Sequence, residues 1–243
     1  MNDCSFDWPK FLRSTGPCLR PGGSLLTERA LEICGLPSGS LVADLGCGAG
    51  GTLRLLERTG RYRVVGLDYS EVLLAESANR LERARLVKGR AEILPFKDNS
   101  FDAIFCECVL SILDDKVAAL GECARVLMGG GFLILSDLLG QGDPGQVAME
   151  GISRPEGPLA KEVLLGHLAR LGFSLLLWEV HERLLKEFVA RMILAGESLP
   201  DAWRRRGECG EKTGKPGITY FLLVARKPKA VIHAAGHRMD GHS

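Results

Sequence analysis

Three glycines at alternate positions, 46, 48 and 50, follow an apolar run that contains one carboxylate: Val42-Ala43-Asp44-Leu45-Gly46-Cys47-Gly48-Ala49-Gly50-Gly51. Glycines at that spacing allow a tight turn and let a ligand lie against bare backbone. The place for such a turn is the carboxyl end of the first strand of an α/β sheet. Read through Gly51, the same letters satisfy G-x-G-x-x-G, a dinucleotide fingerprint that is a weak signal alone.

Charge separates the two chemistries. A pyrophosphate needs backbone N–H groups and the positive end of a helix, so a carboxylate two residues before the first glycine is a poor neighbour. Asp44 suits a ligand carrying an ammonium and a sulfonium, the charge pattern of S-adenosylmethionine. A second carboxylate, Asp68, ends Val64-Val65-Gly66-Leu67-Asp68. It can accept from both hydroxyls of a ribose, which either ligand class carries, so Asp44 tips the balance.

These residues need strands and helices to position them, and the alternation is visible from about residue 24 to 180. Short β-rich runs are expected at 40–45, 62–67, 86–88, 101–108, 132–137, 173–181 and 218–226. Helical spacing fills 24–35, 51–59, 70–83, 114–127 and 159–171, with Ser70 an N-cap and Gly129-Gly130-Gly131 closing the fourth helix. Residues 138–158, with five glycines and three prolines, read as a loop. Strands separated by such helices imply βαβ units and a parallel sheet covered on both faces. Residues 182–207 interrupt the alternation. Leu184, Leu185, Phe188, Val189, Met192 and Ile193 form an apolar stripe there, so the stretch is read as a helical insertion.

Bulk properties narrow the class. The chain has 243 residues, and 31 Lys and Arg against 30 Asp and Glu leave a net charge of +1. No strong field selects nucleic acid or an anionic membrane. A 46% hydrophobic and 25% charged composition can bury a sizeable core. No apolar run approaches the ~20 residues of a spanning helix, and the acidic start lacks a signal-peptide pattern. The expectation is a cytoplasmic chain acting on a small molecule, monomer or homodimer, with no nucleic-acid partner and no membrane insertion. Eight cysteines, none in a Cys-x-x-Cys, read as reduced thiols rather than a disulfide framework.

The ordered motifs resemble the class I S-adenosylmethionine-dependent methyltransferases, in the small-molecule branch that includes quinone-biosynthesis and arsenite methyltransferases. They are 44–50, then Gly66-Leu67-Asp68-Tyr69-Ser70, then Gly89-Arg90-Ala91-Glu92-Ile93-Leu94-Pro95-Phe96 with Asp98 and Ser100-Phe101-Asp102. Arg125-Val126-Leu127 follows, leading to Ser136-Asp137. The resemblance implies a Rossmann-like, doubly wound sheet of seven strands, the last antiparallel. It implies a domain over 24–226 with 1–23 as a lid, and the polar stretch 227–243 reads as a disordered tail. It places Gly46, Cys47, Gly48 and Gly50 along the methionine part of the cofactor, with Asp44 near its amino group. Asp68 would bind ribose, Tyr69 would pack on adenine, and Ala91 and Glu92 would border the adenine edge. Glu107 and Cys108 would face the transferred methyl group. Relatives commonly carry an acid where Arg90 stands, so this chain departs from the pattern there.

Other chemistry has plainer readings. Cys106 and Cys108, alternating on one strand, are expected to share a face, either as a thiol site for a metalloid with Cys18 or Cys209, or as small buried residues. His181, near Glu179 and Glu182, is a candidate base or a surface histidine. His233, His237 and His242 lie in the tail, and no metal is expected. Trp203-Arg204-Arg205-Arg206 reads as a solvated helix end. The rival functions are a cofactor-binding protein without catalysis, a thiol- or metalloid-directed methyltransferase, and a nicotinamide-dependent oxidoreductase.

Overall fold

A computed structural model describes residues 18, 20–140, 160–194 and 218–229. Seven strands form one sheet: β1 (Leu41–Leu45), β2 (Arg63–Asp68), β3 (Arg85–Lys88), β4 (Phe101–Glu107), β5 (Leu127–Gly140), β6 (Ser174–Val180) and β7 (Ile218–Arg226). Their order is β3-β2-β1-β4-β5-β7-β6, and β7 runs antiparallel to both neighbours while the other pairs are parallel. The seven-stranded, doubly wound architecture expected from the motifs is therefore present.

Among the described residues six α-helices flank the sheet: α1 (Leu25–Cys34), α2 (Gly51–Arg58), α3 (Glu71–Ala78), α4 (Lys116–Val126), α5 (Lys161–Arg170) and α6 (Glu182–Leu194). Alternate residues of each strand face opposite layers. Ala43, Leu45, Ile104, Cys106 and Leu133 pack with Leu120 and Cys123 of α4 and with Leu164 of α5. Val42, Val64, Phe105 and Ile134 pack on the other face, with Leu26 of α1, Leu53 and Leu56 of α2 and Leu185 of α6. The order β3-β2-β1 on one side and β4-β5 on the other puts the chain reversal beside β1, where open sheets hold their ligands.

Several boundaries differ from the sequence reading for local reasons. The helix after Ser70 starts where expected, its side chain accepting from the Leu73 amide at 3.4 Å, but it ends at Ala78 rather than near Arg83. The Glu57 carboxylate takes up the Arg83 amide at 2.7 Å and the Ala84 amide as well, pulling those residues out of the helix. The glycines at 129–131 do not form a turn: β5 begins at Leu127, directly after α4. The pairing absorbs the extra residues in one irregularity, with Phe101 opposite Leu127 and Ala103 already opposite Phe132. β5 then continues to Gly140, past the predicted end.

The insertion is helical over 182–194, where Leu185, Phe188 and Met192 are buried, but Ile193 is 66% exposed and does not belong to the packed stripe. Residues 227–229 continue from β7, with Lys227 Nζ on the Leu127 carbonyl at 2.6 Å. Residues 1–17 and 19 of the predicted lid at 1–23, most of the loop at 138–158, the rest of the insertion with Trp203–Arg206, Cys209, and the tail histidines lie outside the described residues.

Candidate functional site

Asp44, Asp68 and Glu107 close three adjacent strands, β1, β2 and β4, at their carboxyl ends. Each has the strand parity of Val42, Val64 or Phe105, so all three side chains project toward the α1 and α2 layer. They are 3%, 5% and 7% exposed. Burial, then the charge of Glu107, pushes the Asp44 carboxyl well above the usual carboxylate range. Arg20 opposes that rise and Asp68 adds to it. Burial also raises Asp68, opposed by the amides it accepts from.

Between β1 and α2 the chain turns through Gly46, Gly48 and Gly50, whose φ angles are 67°, 52° and 80°. Side chains are excluded twice over, by conformation and by space. A Cβ on Gly46 would meet Val109 Cγ2, and one on Gly50 would meet Ser77 Oγ. The Gly46 amide donates to the Leu67 carbonyl at 2.7 Å. Asp68 Oδ2 accepts the Gly48 amide at 2.8 Å, and Oδ1 the Ser70 amide at 2.9 Å. The ends of β1 and β2 are thereby fixed to one another at the loop.

A cavity of about 290 Å³ opens beside this loop, with Gly46, Asp68, Tyr69, Ala91 and Glu92 in its wall. Tyr69 is 66% exposed there, while Ala91 is buried. Five of the sequence-predicted binding residues therefore share one cavity. The facing wall was not anticipated: Val109, Ile112, Leu113 and Asp114 come from the turn between β4 and α4. Arg90 lies in the same cavity wall, its guanidinium paired with Glu92 at 2.9 Å and Asp114 at 3.5 Å. Asp114 thus brings a carboxylate to the neighbourhood where Arg90 cannot accept.

Glu107 is the acceptor of a buried network. Thr52 Oγ1, at the start of α2, donates to it at 2.7 Å, Thr27 Oγ1 of α1 at 3.0 Å, and Arg20 Nη2 lies 3.1 Å from Oε2. Cys108 does not share a face with Cys106, which corrects the expectation drawn from alternation. Its φ of 58° ends the strand and turns the side chain into the opposite layer. The Cys108 thiol lies 3.1 Å from Tyr220 Oη, whose hydroxyl donates to Ser136 Oγ at 3.1 Å. Burial raises the Cys108 thiol far above its ordinary range, and the Cys47 thiol likewise.

His181 stands apart. Its Nε2 lies 3.2 Å from Glu179 Oε2. It lines a wider, more open cavity of about 730 Å³ with Leu25, Arg183 and Leu184, sharing no wall residue with the first. The structure therefore brings Glu107 to the loop, seats Cys108 in a hydroxyl network, and leaves His181 elsewhere. Among the described residues no group of three His, Cys, Asp or Glu side chains could hold a metal ion.

The methyltransferase-domain family matches residues 43–135, from β1 into β5. That stretch contains Asp44, the three glycines, Asp68 and the cavity walls. The chain carries a class I methyltransferase domain. An uncharacterized protein of Haemophilus influenzae is 30% identical over 64% of this chain and 66% of its own length. The demethylmenaquinone methyltransferase of Thermotoga maritima is 35% identical over 46% of this chain and 49% of its own. The chain thus aligns with between about half and just under two thirds of those relatives. The methyltransferase fold extends further than these alignments. The crystal structure of the [4+2]-cyclase SpnF superposes with a TM-score of 0.72, 23% identical, covering 91% of this chain and 93% of that one. A phosphoethanolamine N-methyltransferase of Haemonchus contortus in complex with S-adenosyl-L-methionine superposes with a TM-score of 0.68, 19% identical, covering 90% of this chain and 56% of that one.

Proposed function

We propose that the protein transfers a methyl group from S-adenosylmethionine to a small molecule. The observation that carries this reading is the buried, acidic surround of the glycine loop, where Asp44, Asp68 and Glu107 face one layer. Three carboxylates at a positive-φ turn favour a cationic ligand and oppose a diphosphate, which argues against the nicotinamide alternative. The cradle fits: Gly46 presents bare backbone to the cavity, closely covered by Val109 of the facing wall. Asp44 would hold the ammonium, Asp68 the ribose, and Tyr69 with Ile112 the adenine faces, with Ala91 and Glu92 at its edge.

The bound cofactor supplies a methyl group already activated by the positive charge of its sulfur. The chain's part is to align the acceptor and keep water away, an effect worth roughly 7–11 kcal/mol in favourable cases. No dedicated base is needed for a carbanion or thiolate acceptor. Glu107, fully engaged by Thr27, Thr52 and Arg20, serves to fix the anionic edge. Relatives named demethylmenaquinone methyltransferases support a small-molecule acceptor, and we place the protein's action in the cytoplasm. The metalloid alternative loses the pair it expected on one strand, because Cys106 and Cys108 occupy opposite layers.

SpnF is a [4+2]-cyclase, so turnover rather than fold must decide. Calorimetry with S-adenosylhomocysteine, followed by mass-spectrometric detection of methyl transfer across a panel of small nucleophiles, is the test. Binding without transfer to any of them favours an accessory role, and an absence of binding removes the reading.

A further inference from the structure

Arg90 bridges the two walls of the nucleoside cavity. The loop after β3 supplies one wall and the turn between β4 and α4 the other. Arg90 Nη2 donates to Glu92 Oε1 of the first at 2.9 Å and lies 3.5 Å from Asp114 Oδ2 of the second. Its backbone is firmly mounted. The Ile93 amide returns to the Arg90 carbonyl at 3.2 Å, and α4 grips the loop just beyond. Glu122 Oε2 accepts the Leu94 amide at 2.7 Å, and Arg125 Nη2 donates to the Leu94 carbonyl at 3.0 Å. The Arg90 side chain is open to water, at 58% exposure. Both of its contacts use Nη2, so Nε and Nη1 have no hydrogen-bond partner among the described residues. An ion pair this exposed is weakly held, and its partners can be exchanged for a ligand.

A purine edge offers one of two patterns. Adenine presents a donor at its 6-amino group and an acceptor at N1. Hypoxanthine reverses them, with an acceptor at O6 and a donor at N1–H. A carboxylate only accepts and a guanidinium only donates. A wall carrying carboxylates alone therefore suits the 6-amino group and opposes the 6-oxo oxygen. Position 90, which departs from the acid common in relatives, sets a donor beside Glu92 and Asp114. Donor and acceptor together meet either pattern by exchanging partners. With adenine, the carboxylate takes the 6-amino group and Arg90 donates to N1. With hypoxanthine, Arg90 donates to O6 and the carboxylate takes N1–H. We propose that the Arg90–Asp114 pair reads the purine edge in both senses, so that the cavity takes 6-oxopurine nucleoside thioethers as well as S-adenosyl ones. This rests on the methyltransferase reading, which puts the base between Tyr69 and Ile112, and extends it to a second class of ligand.

The test is calorimetry on the full chain with S-adenosylhomocysteine and its deaminated analogue, S-inosylhomocysteine, which differ only at the purine edge. Wild type is expected to bind the two within about fivefold of one another. Arg90→Ala leaves the carboxylates alone at the edge. It is expected to favour the adenosyl ligand by about tenfold or more, the worth of one hydrogen bond to a charged group. Arg90→Asp should widen that gap, and Arg90→Lys, which keeps a donor, should narrow it. Wild type discriminating by more than about fivefold overturns the assignment before any variant is made. Arg90→Ala still binding both alike overturns it too, because the guanidinium would then lie off the base. Wild type binding the adenosyl ligand alone removes the purine-edge assignment and leaves the methyltransferase reading standing. Wild type binding neither ligand removes both.

Discussion

The Asp68 carboxylate holds the glycine loop through its main chain, accepting the Gly48 amide at 2.8 Å while its other oxygen accepts the Ser70 amide at 2.9 Å. The residue proposed to bind ribose is therefore also the latch between β1, β2 and the start of α3. Removing it leaves two amides short of an acceptor. Asp68→Ala is expected to cost about 2–3 kcal/mol, a fall of roughly 4–12 °C in melting temperature for a chain of this size. Asp68→Asn keeps one acceptor oxygen and should lose about half as much. Urea unfolding distinguishes the two, and a full-strength Asp68→Ala would show that the latch carries no load.

Asp44 makes stability and ligand affinity depend on pH in opposite directions. Its folded carboxyl binds a proton more tightly than the unfolded one, whose pKa is about 4, because burial and then Glu107 disfavour the charge. That contribution to stability is complete below the unfolded value and is lost as pH rises through the raised folded value. A cation docking on ionised Asp44 must displace that proton, so affinity for S-adenosylmethionine should increase over the same range. Calorimetry in buffers of different protonation enthalpy should record proton release on binding. Asp44→Asn should reduce both slopes, leaving the smaller share from Asp68, which burial also raises. Parallel slopes for stability and affinity, or binding with no proton released, would contradict this account.

The glycine loop and the carboxylates at the strand ends were legible because their signals are local, whereas the hold of Asp68 on the Gly48 amide was not, because it joins two strands. The seven strands were legible through local signals too. What escaped depends on contacts between distant segments. Val109, Ile112, Leu113 and Asp114 sit in a turn with no periodicity, and only the β4–β1 pairing brings them opposite Gly46. Arg20 reaches the site because α1 lies across the same layer as Glu107. Alternation failed at Cys108 because a positive φ breaks strand parity, and helical spacing failed near Arg83 because Glu57 captures the amides beyond Asn79.

Gly46 and Val109 should be coupled. At φ 67° an alanine is strained by about 1–2 kcal/mol, and its Cβ would also collide with Val109 Cγ2. Gly46→Ala is expected to cost about 2–4 kcal/mol in total and to weaken nucleoside binding. In the double variant, Val109→Ala should relieve the collision and leave only the conformational strain and the lost valine contacts. The measured destabilisation should then be smaller than the sum of the two single variants, a double-mutant coupling readable from denaturant melts. Simple additivity would place Val109 out of reach of the loop.

The buried thiols should be chemically quiet. Burial pushes Cys34 and Cys123 up to about 12 and carries Cys47, Cys106 and Cys108 upward too. A thiol at about 12 is ionised to roughly one part in 10⁴ at pH 8, and the thiolate is the form that alkylates or binds a metalloid. Iodoacetamide at pH 8, followed by peptide mass spectrometry, should leave these five cysteines unmodified in the folded chain and label them in urea. Adding arsenite should not raise the melting temperature, because Cys106 and Cys108 face different layers and offer no paired thiolates. Rapid alkylation of folded Cys108, together with stabilisation by arsenite, would restore a thiol-directed acceptor and displace the present assignment of that residue to the Tyr220–Ser136 network.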